Sequence, residues 1–238
     1  MTSPDPTVER ALVITAHPDD VDFGAAGTIA AWTAQGIEVT YCVITDGDAG
    51  GFDPAVPRSE IGGIRQAEQR AAAKEVGVED VVFLGYPDGR LYVTHELRRD
   101  VSRVIRQKRP QRVLTQSPER NWERIYASHP DHLVAGEVAM CAVYPDARNP
   151  FAHTDLTEEA WTVDEVWIMA SGDPSATTFI DVTDTFDRKV EALRAHVSQT
   201  SHMDDLSARI RMWATVTAEK AGFETGRLAE GFRVVDTR

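Results

Sequence analysis

The sequence predicts an α/β fold: a three-layer, mostly parallel, Rossmann-like sheet with helices on both faces. Three observations predict it. Short apolar runs alternate with amphipathic stretches of helical length in the order β-α-β-α-β-α-β-α. The apolar runs are continuous, as expected of strands buried on both faces. Glycine, proline or polar residues close each run and each helical stretch.

The elements follow in order. Ala11–Ala16 (ALVITA) is the first strand, and Gly27–Gln35 is a helix that Gly36 stops. A second strand over Ile37–Thr45 runs into the turn-rich segment DGDAGGFDPAVP. Ile64, Ala67, Ala71 and Ala72 recur at helical spacing, predicting a helix over Ile64–Val76 closed by Gly77. Val81–Gly85 is the third strand, Glu96–Lys108 a helix ended by Pro110, and Arg112–Gln116 the fourth strand. A long polar loop leads to a helix over Leu133–Val143. Strands at Glu165–Ala170 and Thr178–Val182 come next, then a helix over Thr185–Val197 with Asp184 as its N-cap. A helix over Leu206–Ala221 and a strand at Phe232–Val235 complete the chain. There is no repeat, low-complexity tract or Pro/Ser-rich linker, so residues 1–238 read as one domain.

Composition narrows the function. The 238 residues carry 38 acidic and 25 basic side chains, a net charge of −13. Binding to nucleic acid or an anionic membrane depends on clustered Lys and Arg, so this balance argues against both. Two cysteines, Cys42 and Cys141, are too few for a disulfide framework and sit in apolar runs, where buried free thiols are expected. The first ten residues are polar and no apolar stretch approaches the length of a membrane span, which reads as a cytoplasmic protein.

In open parallel sheets, ligands bind beyond the carboxyl ends of the strands. Here the first strand runs into HPDD (His17–Asp20), the second ends in Thr45-Asp46-Gly47, and the loop after the fourth contains SHPDH (Ser128–His132). A dinucleotide site needs glycines after the first strand, but HPDD stands there, Gly24 and Gly27 miss the required spacing, and Asp19, Asp20 and Asp22 would repel a pyrophosphate. A metal site fits better, because His and Asp are good zinc ligands when thiolates are absent. Pro18 biases His17 to an extended conformation and keeps HPDD in a loop. Adjacent Asp19 and Asp20 then point different ways, while His129 and His132, three apart at a helix entry, can share a face.

The AHPDD after the first strand, with the later HPDH, resembles the LmbE/PIG-L family of zinc-dependent de-N-acetylases. TDGDAGG, IRQAEQRAAAKEVGV followed by VVFLGYPDG, and HVSQT (His196–Thr200) extend the resemblance over roughly residues 10–200. The resemblance implies His17, Asp20 and His132 as ligands of Zn²⁺, with Fe²⁺ also acceptable to such a set. It implies Asp19 as the general base and His129 as stabiliser of the oxyanion and proton donor to the leaving amine, with Asp131 orienting His129. It implies a substrate contact for Arg65, an N-acetylglucosamine-type or related small amide as substrate, and assembly as a homo-oligomer, trimer or hexamer. Elementary chemistry agrees: amide hydrolysis needs an activated water, a group facing the developing oxyanion and a proton for the amine.

Other residues carry two readings each. Arg65 and Glu68 can form a surface ion pair on one helix; Asp46 and Asp48 suit turn chemistry, although Asp46 can line the mouth of a pocket. His196 either approaches the pocket or makes a structural hydrogen bond. His95, His153 and His202 read as surface or capping residues. Trp122 and Tyr126 can anchor their loop or pack on a sugar ring. Specificity is expected from residues 47–62, 87–94, 117–128 and 146–162. Competing functions are an amidase for a larger thiol conjugate, a non-haem Fe(II) oxygenase built on a two-His-one-carboxylate triad, and a non-catalytic metal- or carbohydrate-binding protein.

Overall fold

A computed structural model describes residues 8–123, 125, 128–171 and 173–238. Among them, seven strands form one sheet: β1 (Arg10–Thr15), β2 (Glu38–Thr45), β3 (Asp80–Tyr86), β4 (Arg112–Thr115), β5 (Glu165–Met169), β6 (Thr178–Asp181) and β7 (Ala229–Asp236). Their order is β3-β2-β1-β4-β5-β7-β6. The pairs from β3 through β5 are parallel, and β7 runs antiparallel between β5 and β6. The sheet is therefore three-layered and mostly parallel, as the alternation predicts. Insertion of the last strand between the fifth and sixth is not visible in strand spacing, because pairing order is a tertiary choice.

The layers follow from the two-residue period of a strand. Val13, Val39 and Tyr41 face α1 (Asp20–Ala34) and α2 (Arg58–Glu75), whose Ile29, Trp32 and Ala72 cover them together with Val76. Leu12, Ile14, Cys42 and Ile44 face the opposite way, against α3 (His95–Lys108) and α4 (Pro130–Cys141). A smaller cluster joins β6 to α5 (Phe186–Ala195) and α7 (Leu206–Lys220) through Val182, Phe186, Leu193 and Ile210. The short α6 (Val197–Thr200) lies between those helices in the chain. No helix among the described residues is long and apolar enough to cross a membrane.

Several boundaries differ from expectation. α1 starts at Asp20 rather than Gly27, and α2 at Arg58 rather than Ile64. Glycines are the reason at α1. A Cβ on Gly24 would come within 2.4 Å of Met169 Sδ, and one on Gly27 within 2.8 Å of Val182 Cβ, so close packing requires glycine inside this helix. α4 starts at Pro130, because proline at a first helical position forfeits no hydrogen bond. Asp184 does not cap α5; it lies in a 3₁₀ turn over Thr183–Thr185, and the helix proper begins at Phe186. Cys42 is a buried thiol as expected, but Cys141 is only partly covered, with Sγ 3.7 Å from Glu137 Oε1. His153 is not a surface residue: its Nε2 lies 3.3 Å from Asp146 Oδ2 in the interior, and its ring packs on His95.

From β1 the chain runs outward to β2 and β3, then returns to place β4 on the other side of β1. The switch point lies between β1 and β4, whose paired residues run from Ala11↔Arg112 to Ile14↔Thr115. The HPDD loop leaves one of these strands and the SHPDH loop follows the other.

Candidate active site

After β1 the chain turns through His17 and Pro18. Asp19, with φ 93°, sits at the N-cap of α1, and Asp20 is its first helical residue. Neighbouring carboxylates then part company. Asp20 folds back so that Oδ2 accepts the His17 backbone N–H at 2.6 Å and lies 3.3 Å from His17 Nδ1. Its Oδ1 lies 3.0 Å from His132 Nε2. Asp19 instead meets Arg65, whose Nη2 donates to Oδ2 at 3.1 Å.

The loop after β4 supplies the opposing wall. His129 is the N-cap of α4; its Nδ1 accepts the Asp131 backbone N–H at 3.2 Å, leaving Nε2 available. One turn in, His132 brings Nε2 to 3.2 Å from His17 Nδ1. His17 Nδ1 and His132 Nε2 thus lie 3.2 Å apart and the Asp20 carboxylate spans them, Oδ2 3.3 Å from the first and Oδ1 3.0 Å from the second. Four ligands at zinc–nitrogen and zinc–oxygen distances of about 2.0–2.1 Å in a tetrahedron are separated by about 3.3 Å, so each of these contacts has the length of a tetrahedral edge. His129 completes a second grouping with His17 and His132, all donors lying within 4.8 Å of one another.

Behind His17 lies a pair of carboxylates. Its Nε2 is 3.0 Å from Asp88 Oδ1 and 3.3 Å from Asp131 Oδ2. Asp131 also accepts the backbone N–H groups of Gly89 at 2.7 Å and Leu91 at 3.3 Å. Its carboxylate therefore bears on His17 and not on His129, which contacts only its backbone. The first turn of α4 directs this nearly inaccessible side chain inward to the amides of the 87–94 loop. Sequence reasoning missed Asp88. The signal was YPDG, which like Thr45-Asp46-Gly47 is a His-free Asp turn at the carboxyl end of a strand.

The electrostatics follow from this crowding. Burial alone would lower the His17 pKa, but the Asp20 charge and hydrogen bonds to Asp131, Asp20 and Asp88 raise it to about 12. Burial would raise Asp20, yet His132 and His17 hold it well below the usual carboxylate range. Asp19 is raised to about 6 by burial and by Asp20 against the opposing pull of Arg65. Burial, then the charges of His17 and His132, lower His129. The pocket attracts positive charge strongly, as a divalent-cation site must.

Arg65 is 4% exposed and does not form the surface pair with Glu68. Besides Asp19 it donates to Pro18 O at 2.5 Å and Gly47 O at 3.0 Å, so it stands behind Asp19 rather than at an open mouth. A Cβ on Gly47 or Gly50 would meet its Nη1 at 2.5 or 2.4 Å, which explains the glycine-rich loop after β2. Glu68 instead accepts from Ser198 N and Oγ. Asp46, partly buried, accepts from Gln66 Nε2 at 2.7 Å. His196 is fully buried on Asp22, and His202 stacks on Phe52. Trp122 is 82% exposed beside Arg120, so it does not anchor its loop by burial; Tyr126 lies outside the described residues.

Comparison with known proteins agrees with this architecture. Residues 12–143 match the model of the PIG-L family, described as GlcNAc-PI de-N-acetylase. The chain is 33% identical over 231 residues to a diacetylchitobiose deacetylase of Thermococcus kodakarensis, covering 96% of this chain and 84% of that protein. It is 32% identical over 208 residues to a probable N-acetyl-alpha-D-glucosaminyl L-malate deacetylase of Bacillus cereus, covering 84% and 88%. The crystal structure of N,N'-diacetylchitobiose deacetylase from Pyrococcus horikoshii superposes with a TM-score of 0.88 at 28% identity, covering 99% of this chain and 86% of that one. A family match over more than half the chain, and a relative one-third identical along almost all of it, carry the same conclusion: the chain belongs to the PIG-L family of de-N-acetylases.

Proposed function

We propose that this protein is a metal-dependent hydrolase that removes the N-acetyl group from an N-acetylglucosamine-type substrate. The observation that carries the reading is the approach of His17 Nδ1 and His132 Nε2 to 3.2 Å, with the two oxygens of the Asp20 carboxylate 3.3 and 3.0 Å from them and Asp19 the preceding residue. These three residues would hold the ion. Zn²⁺ suits this set, and Fe²⁺ accepts the same donors. When bound, such an ion supplies Lewis acidity and brings the pKa of a coordinated water toward about 7.

The remaining steps belong to the chain's own groups. Asp19, raised to about 6, is poised to take the proton of the attacking water near neutral pH. Arg65 keeps its carboxylate oriented. His129 presents Nε2–H to the oxyanion that develops on the acetyl carbonyl, and the proton that Asp19 takes from the water is the one delivered to the departing amine. Asp131 and Asp88 accept the outward Nε2–H of His17, so a bound ion would take the place of the proton that Asp20 otherwise holds on Nδ1. The relatives' names point to glucosaminyl compounds as substrates: diacetylchitobiose and a GlcNAc–malate conjugate.

The test is acetate release. Protein stripped with a chelator and reloaded with Zn²⁺ or Fe²⁺ is incubated with diacetylchitobiose and with GlcNAc–malate, and free acetate and amine are quantified. Metal-dependent release in equal amounts supports the reading. Release that persists in metal-free protein, or activity that requires dioxygen and a reductant, overturns it.

A further inference from the structure

Asp19 adopts a left-handed backbone, unusual for a residue with a Cβ, and its surroundings over-determine it. Its backbone N–H donates to Gln69 Oε1 at 2.8 Å. Since an N–H can only donate, the oxygen of the Gln69 amide must face Asp19 and the nitrogen must face away. That nitrogen donates to Asp22 Oδ2 at 2.8 Å. The same Oδ2 lies 2.8 Å from His196 Nε2, so His196 carries a proton there. The donor and the acceptor of each of these three bonds, from His196 through Asp22 and Gln69 to Asp19, are thereby assigned.

The chain of bonds is wholly interior: Asp22, Gln69 and His196 are each fully buried. Polar groups in such a place are costly, and Asp22 Oδ1 has no protein partner, so apolar residues would pack there at less cost. Its geometry serves Asp19. Gln69 and Arg65 are four apart on α2 and share a face. Gln69 grips the Asp19 backbone, while Arg65 grips the Asp19 carboxylate and the carbonyl of Pro18.

We propose that Gln69, oriented by Asp22 and His196, is a positioning residue that holds Asp19 in its left-handed, catalytically aimed conformation. The proposal rests on the reading of Asp19 as the base. Its tests separate the two.

Gln69→Leu keeps the volume and removes both bonds. A small misplacement of a reacting group typically lowers turnover by up to about 100-fold, so kcat should fall about 10–100-fold with KM and bound metal little changed. In an Asp19→Asn background the same substitution should cost less than about twofold, because the two act as one unit. Independently of activity, the Asp19 amide should be protected from hydrogen exchange in the native protein and lose protection in Gln69→Leu. His196→Gln, which keeps a donor toward Asp22, should retain most of the turnover that His196→Leu loses, and this pair serves if Gln69→Leu does not fold. An Asp19 amide equally protected in Gln69→Leu, or an equal loss of kcat in both backgrounds, overturns the proposal. Full activity of Asp19→Asn alone would instead overturn the base assignment, while exchange at Asp19 would still report on Gln69.

Discussion

Two aspartates in the HPDD and HPDH motifs separate at the residue scale. Asp19 touches none of the three converging donors and pairs with Arg65, whereas Asp131 bears on His17 from behind. Asp19→Asn should therefore keep normal metal stoichiometry while turnover falls by about 10²–10⁴-fold, the usual contribution of a general base. Asp131→Asn should act on binding. Loss of an outer carboxylate from a ligating histidine typically lowers metal affinity about 10–100-fold. Competition against a chromophoric chelator reads this directly, and unchanged affinity with lost turnover would return Asp131 to a role on His129. The motif residues were legible because each motif is contiguous and lies in the segment that follows a strand's carboxyl end. Asp88 and Gln69 were not, because each joins the site from a loop or helix whose own sequence carries no histidine and whose approach to His17 or Asp19 is set by packing.

Glycines decide much at the element scale, and they explain why helix types were legible while helix starts were not. Average propensity treats glycine as a breaker, but Gly24, Gly27 and Gly136 are places where another backbone or side chain arrives. Gly136 is the sharpest case. A Cβ there would lie 2.4 Å from Gln116 O and 2.7 Å from Pro118 N, both backbone atoms that cannot rotate aside. Gly136→Ala must push α4 away from the loop after β4, and α4 carries Asp131 and His132. Overpacking of this kind costs about 1–3 kcal/mol, so the melting temperature should fall and metal affinity should fall with it. A Cβ on Gly63, within α2, would meet nothing within 4 Å. Gly63→Ala should instead stabilise by about 0.5–1 kcal/mol, since it restricts only the unfolded chain. Thermal unfolding of the two variants side by side should show opposite signs; stabilisation by both would mean that helix propensity, not close approach, governs Gly136.

Across the whole molecule, the site joins parts of the chain that no local pattern links. β1 and β4 supply the two motifs, α2 supplies Gln69 and Arg65, and His196, between α5 and α6, closes the circuit from the far end of the sequence. This long-range tie makes stability depend on pH in a defined direction. Burial alone would lower the His196 pKa, but the hydrogen bond and charge of Asp22, with Asp19 and Glu68 beyond, outweigh it and raise the pKa above its ordinary value. A group whose pKa is raised on folding stabilises fully below its unfolded value, about 6.5 for histidine, and that contribution fades as pH climbs through the folded value. His17 behaves alike and would obscure the trend in the native protein alone. The measurement is therefore a difference: the melting temperature of the native protein minus that of His196→Gln, both carrying the same His17. That gap should be widest near the unfolded value of about 6.5 and below, and narrow steadily as the pH rises above it. A gap that is flat, or that widens with pH, would mean that His196 is neutral in the fold and that Asp22 is held by Gln69 without help from a cation.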